Sequence, residues 1–279
     1  MSYGYRRERN NMPMWALIVL VSVATIVCII MVAVMYMDNK GMLGNSNPAK
    51  TEDNSIQEVK GEANVVQVDD EALDNMIPKH DIVDIKALQG ELNGDVYSWL
   101  YIPETGIDAP VLQKEDDVMY YGSHNEKGEE DGKGTLFTQY INSKDYSDNV
   151  TVIYGYNDGS DKGFSKLNLF EDPAFLGSHP YVYIYNEESL LIYKIFAAYE
   201  SDDTHILMYY EPNDDSNYEK YLSVIKDNMG LNANVIEEVW PSVDDKILTL
   251  STRIQGKEEN RYLVQAKLHE TVKLSELTE

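Results

Sequence analysis

The chain has 279 residues, enough for one domain with appendages, and 43% of them are hydrophobic, which is ordinary for a folded protein. A formal net charge of −25 argues against nucleic acid as a partner, because phosphates are held by lysine and arginine, and it suits a solvated extracellular protein. The one cysteine, Cys28, excludes a disulfide framework.

Residues 15–37 form an apolar run without a charge. A bilayer core of ~30 Å needs about 20 helical residues, so the run is long enough to span. Arg6, Arg7 and Arg9 precede it, and Asp38 and Lys40 follow. This asymmetry predicts a cytoplasmic segment 1–14, a signal anchor 15–37, and everything after it outside the cell membrane in a single-pass arrangement. A cleaved signal peptide is the competing reading. The run exceeds the usual ~7–15-residue apolar core of such peptides, and no clear small-x-small site follows. Cys28 falls inside the run, so the segment beyond it has no thiol. Residues 38–79 are polar and acidic and read as an extracellular linker, with a short helix beginning near Asp69.

Residues 80–270 read as the folded domain. Ile82, Ile85, Leu88 and Leu92 recur near helical spacing, and Gly94 can end that helix. Eight strands are predicted at 98–103, 109–112, 135–138, 150–154, 181–185, 190–198, 247–252 and 262–267. Each is short, β-branched or aromatic, and bounded by Gly, Asp, Asn or Pro. Before the seventh, Tyr218, Tyr221, Leu222, Ile225 and Met229 fall on one helical face, with Ser216 as N-cap and Gly230 as stop. The pattern is mainly β and closes as a barrel more readily than as a βαβ layout. Residues 271–279 are left as a C-terminal tail.

Three segments carry the chemistry. Leu248-Thr249-Leu250-Ser251-Thr252-Arg253 is a strand, Val152-Ile153-Tyr154-Gly155-Tyr156-Asn157 leaves a strand into a turn, and Asn260-Arg261-Tyr262-Leu263-Val264 opens the last strand. Together with Asp95–Pro103, Ile107–Gln113, His179–Tyr185 and Tyr193–Phe196, in that order, they resemble the class B sortases. The resemblance implies an eight-stranded barrel with an N-terminal helix and a helix before the seventh strand, an N-terminal membrane anchor and a Gram-positive cell surface. It also implies cysteine-type transpeptidase ancestry, with a thiolate attacking a threonine carbonyl of a cell-wall sorting signal. The family pattern has cysteine where Arg253 stands and histidine where Tyr156 stands. Arg261 matches its arginine.

Guanidinium stays protonated and only donates hydrogen bonds, so Arg253 cannot act as a nucleophile. A phenol with pKa near ~10 is a poor base at neutral pH, so Tyr156 does not replace histidine. The expected function is therefore that of a catalytically inactive sortase-like protein. It would bind a sorting-signal-like peptide, or partner an active sortase or another cell-surface protein. A purely structural tether is a third reading.

The alternative is an active transpeptidase with Ser251 as nucleophile, since Ser251 faces the same side as Arg253. Such a serine needs an adjacent base. None of His80, His124, His179, His205 and His269 occupies the family's base position. No histidine pair has metal-ligand spacing, and no cofactor or metal is expected. Arg253 and Arg261 should lie on neighbouring antiparallel strands. Either an internal Asp or Glu offsets their charge, or they form a small pocket for a carboxylate or other anion.

Overall fold

The computed structural model describes residues 63–277 apart from 75, 161 and 231. The expected cytoplasmic segment 1–14, the apolar run 15–37 and most of the expected linker lie outside the described residues. Among the described residues no helix is long and apolar enough to cross a membrane.

All eight predicted strands form, and each is seeded by β-branched or aromatic side chains. In chain order they are β2 (Val96–Ile102), β3 (Ile107–Leu112), β4 (Leu136–Thr138), β5 (Val150–Tyr154), β6 (Tyr181–Tyr185), β7 (Ser189–Asp202), β9 (Ile247–Ile254) and β10 (Lys257–Lys273). The sheet runs β6-β7-β10-β9-β5-β4-β3-β2, and β2 pairs with β6 to close it. Closure removes the free edges that an open sheet would present. Most neighbours are antiparallel, but β3–β4 and β5–β9 are parallel. Two further strands of two residues each, β1 (Asn64–Val65) and β8 (Asn234–Val235), pair in parallel and extend the sheet outward from β7.

Residues 63–79 do more than tether. β1 anchors them, Val66 is buried, and a short helix α1 (Asp70–Asp74) follows. The Asp69 N–H bonds the Gly177 carbonyl at 3.0 Å, and the Tyr183 hydroxyl donates to the Met76 carbonyl at 2.8 Å. At the other end β10 continues to Lys273, into the expected tail, and helix α6 (Leu274–Leu277) follows it.

The predicted N-terminal helix is α2 (Ile85–Glu91). Asp84 caps it by accepting the Ala87 N–H at 3.0 Å. It ends at Glu91, before Gly94, and Ile82 lies outside it. Helix α3 (Pro173–Ser178) precedes β6, and α4 (Ile206–Tyr209) follows β7.

The helix before the seventh predicted strand is α5 (Asp215–Asn228), with Tyr218, Tyr221, Leu222 and Ile225 buried as its periodicity predicts. Its N-cap is Asp214, not Ser216: the Asp214 carboxylate accepts the Ser216 N–H at 2.9 Å. A carboxylate here also meets the positive end of the helix dipole.

Alternation within β9 and β10 divides their side chains between two faces. Leu248, Leu250, Val264 and Ala266 are buried in the barrel core. Thr249, Ser251 and Arg253 point the other way, toward the face that α5 covers. There Gln265, fully buried, donates to the Tyr221 hydroxyl and to Thr249 Oγ1 at 3.0 Å each, and accepts from Tyr199 at 2.9 Å. Thr249 is thus a buried hydrogen-bonding partner within the wall of the barrel.

Candidate functional site

Three strand registers build the site. In the antiparallel β9–β10 pair, Arg253 is the direct partner of Arg261, Ser251 of Leu263, and Thr249 of Gln265. In the parallel β5–β9 pair, Tyr154 lies beside Ser251. The expectation that the two arginines lie on neighbouring strands is met, with no offset between them.

Two guanidinium groups directly opposite would repel. Asp203, just beyond β7, answers the charge: Arg261 Nε donates to Asp203 Oδ1 at 2.5 Å, and Arg261 Nη2 bonds the same oxygen. This is the internal carboxylate that the sequence left as one of two options, and it places a counter-charge where a free anion pocket had been the other. Arg253 is exposed, and it too has a partner within the domain. Its carbonyl accepts from Asn157 Nδ2 at 3.2 Å, which ties the turn after β5 to β9. The Thr252 hydroxyl adds a second tie, to the Gly155 carbonyl at 2.8 Å.

That turn packs tightly. A Cβ on Gly155 would stand 2.6 Å from Leu136 Cδ2 and from Phe164 Cδ2, so only glycine fits. Tyr156 then bends over Gly163, whose φ is +59° and where a Cβ would lie 2.9 Å from the tyrosine ring. Burial pushes the Tyr156 hydroxyl above the usual tyrosine range, and the Asp158 carboxylate pushes the same way. Lys133 and Asp158, paired at 2.7 Å, are among the charges acting on it. Tyr156 therefore sits with the loops around Lys133 and Asp158, and its titration moves further from that of a neutral-pH base.

Ser251 is 5% exposed and lines a pocket of about 60 Å³ together with Tyr154, Asp203, His205, Ile206 and Arg261. Burial holds the Tyr154 hydroxyl far above its ordinary range, against a smaller downward pull from Arg261. His205 is the residue that sequence reasoning missed here. It comes from the segment after β7 and caps α4, with Nδ1 accepting the Met208 N–H at 3.2 Å. A neutral imidazole that accepts at Nδ1 carries its proton on Nε2. In that state His205 can donate toward the pocket and cannot deprotonate Ser251. Asp203 and His205 gave no sequence signal beyond their place in a polar segment after a strand.

No family model matches the chain. The chain is 36% identical over 182 residues to Sortase B of Listeria monocytogenes, covering 64% of this chain and 71% of that protein. The solved structure of sortase B from Listeria monocytogenes is 31% identical, with a TM-score of 0.56 over 66% of this chain and 99% of that one. A Staphylococcus aureus sortase B–substrate complex has the same fold, with a TM-score of 0.58 at 23% identity over 68% of this chain and 85% of that one. The Listeria protein is matched over more than two thirds of its length, so this chain belongs to the sortase B family.

Proposed function

We propose that this chain is a membrane-anchored, extracellular member of the sortase B family that has lost transpeptidation and binds its ligand without cutting it. The ligand is a sorting-signal-like peptide presented by a surface protein or by a partner sortase. The observation that carries this reading is the pair Arg253–Arg261: the two lie directly opposite each other on adjacent strands, and the sequence resemblance puts the permanent cation Arg253 at the family's nucleophile position. The chain's one cysteine, Cys28, lies in the apolar run, so residues 63–277 carry no thiol to act as the nucleophile. The peptide class is supported by the substrate complex formed by the Staphylococcus aureus sortase B of similar fold. The anchor rests on the uncharged run 15–37 and the arginines before it.

The test incubates the full chain in detergent with peptides of the common sorting-signal types and reads products by mass spectrometry. The unmodified chain is expected to bind and release them intact, and Arg253→Ala to weaken binding. The double variant Tyr156→His, Arg253→Cys is expected to regain cleavage. Cleavage by the unmodified chain would overturn the reading.

The shared pocket of Ser251 and His205 favours a second reading, a serine-dependent transpeptidase. It requires His205 to give up the Met208 N–H so that one ring nitrogen becomes a free acceptor. Cleavage that disappears in Ser251→Ala would establish it.

A further inference from the structure

Gln139, directly after β4, is 2% exposed, yet its side-chain amide is poorly satisfied. Among the described residues its Oε1 has no hydrogen-bond partner, and the one partner of Nε2 is the thioether of Met119, at 3.9 Å. A thioether sulfur is a weak acceptor, and a buried amide N–H left with so little is costly. The residue is held where it is. Gln113 Nε2 donates to the Gln139 carbonyl at 3.1 Å, and the Asn142 N–H bonds the same carbonyl at 3.0 Å.

Met119 lies in the loop between β3 and β4 and is 57% exposed. Its backbone is tied on both sides: its N–H donates to Asp117 Oδ1 at 2.9 Å, and its carbonyl accepts the Gly122 N–H at 2.8 Å. Its methyl group packs over Gly122, where a Cβ would stand 3.2 Å from Met119 Cε. The residue thus meets solvent while its sulfur faces a buried N–H.

Methionine reacts with peroxide in one balanced step. A sulfur lone pair takes one peroxide oxygen, the O–O bond breaks, and hydrogen peroxide leaves as water. The sulfide gives up two electrons and becomes a sulfoxide. A sulfoxide in an apolar core disrupts packing. Here the opposite follows. An oxygen on the Gln139 side of the sulfur places a strong acceptor in the 3.9 Å gap, and the contact closes toward the ~2.7–3.2 Å of an N–H···O bond. The unmet Oε1 is the same before and after, so it drops out of the difference. Met208 on α4 is an internal comparison. It is 66% exposed, and among the described residues its sulfur has no hydrogen-bond partner, so its sulfoxide is simply hydrated.

We propose that Met119 is an oxidation site: hydrogen peroxide converts it to a sulfoxide that Gln139 Nε2 holds, so that oxidation tightens the β3–β4 loop onto the barrel. Side chains link this loop to the Ser251 pocket. Gly122 borders the Phe137 ring, Phe137 stacks on Tyr154 at 5.5 Å, and Tyr154 lines the pocket with Ser251 and Arg261.

The test treats the full chain in detergent micelles with dilute hydrogen peroxide. Mass spectrometry locates the added oxygen, and thermal unfolding is followed by near-UV circular dichroism. Met119→Leu, Met208→Leu and Gln139→Leu are treated in parallel. Oxidation should raise the Tm of the unmodified chain by about 2–4 °C relative to its effect on Met119→Leu. Met208→Leu should show the same rise. In Gln139→Leu no N–H awaits the sulfoxide, and the rise should vanish. A second measurement needs no variant: a mixture of the two epimer-specific methionine sulfoxide reductases should restore Met208 about fivefold faster than Met119, whose oxygen is held. Equal shifts in the unmodified chain and Met119→Leu, a rise that survives in Gln139→Leu, a Met119 that resists peroxide while Met208 oxidises, or equal reduction rates would each overturn the proposal.

Discussion

Arg261 on β10 bonds Asp203, the residue just past the end of the neighbouring strand β7, and that single carboxylate lies beside the point where two arginines face each other on adjacent strands. The pair is partly exposed, so its own contribution is screened by solvent. A double-mutant cycle of Arg261→Ala and Asp203→Ala should give a coupling of about 0.5–1 kcal/mol in urea unfolding followed by tryptophan fluorescence. In a background of Arg253→Ala, which removes the facing charge, Asp203→Ala should cost less.

Gln265 is the centre of a buried polar network with Tyr199, Tyr221 and Thr249. Gln265→Ala strands two tyrosine hydroxyls and a threonine and opens a cavity, for an expected loss of about 3 kcal/mol. Thr249→Val leaves one amide proton of Gln265 unpaired and should cost about 1–2 kcal/mol. Equal and negligible losses would show that the network contributes little to the barrel.

Gly155→Ala tests the packing of the turn that presents Tyr156. Leu136 and Phe164 would both have to move to admit the methyl group. An expected cost of about 1–3 kcal/mol follows from overpacking. Because Asn157 bonds the Arg253 carbonyl, amide exchange at residues 155–157 should also speed up in the variant.

Helix α5 offers a test that separates two neighbouring cap candidates. Asp214→Ala should cost about 1 kcal/mol, because it removes the acceptor for the Ser216 N–H. Ser216→Ala keeps that acceptor and should cost a few tenths at most. The reverse order of effects would restore Ser216 as the cap.

Asp95 sets a pH dependence. Partial burial pushes its carboxyl up, but hydrogen bonds from Tyr121 at 2.7 Å and Lys114 at 3.0 Å outweigh this and hold it below the usual carboxylate range. A depressed folded-state pKa gives stability that is present above the unfolded value of ~3.9 and lost as pH falls through the folded value. Stability should therefore fall below about pH 4, and Asp95→Asn should flatten that acid limb while lowering stability at neutral pH. An acid limb identical in the two proteins would remove Asp95 as its cause.

The barrel was largely legible because its eight wall strands are runs of β-branched and aromatic residues, and period-2 alternation then puts Ser251 and Arg253 on one face. β1 and β8 escaped because two residues are too few to show a period. The facing of Arg253 and Arg261 could be anticipated from two adjacent strands joined by a short turn. Asp203 and His205 could not, since they reach the site only through the pairing of β7 with β10, two strands far apart in sequence. Ser216 and Asp214 are both good caps, and the choice between them depends on where the chain turns after α4. The fate of Tyr156 lay in the freedom of Gly163 to pass beneath its ring, which nothing in the local sequence announces.

The parallel pairing of β5 with β9 carries a kinetic consequence. Val150 meets Ile247 across about a hundred intervening residues, so this seam cannot form until nearly the whole domain has been synthesised. Until then β5 remains a bare edge, open to mispairing and to chaperones, and the Arg253–Arg261 site matures last. Slow refolding with late protection of β5 and β9 amides is the signature to look for, and substitutions along that seam should lower yield before they alter affinity.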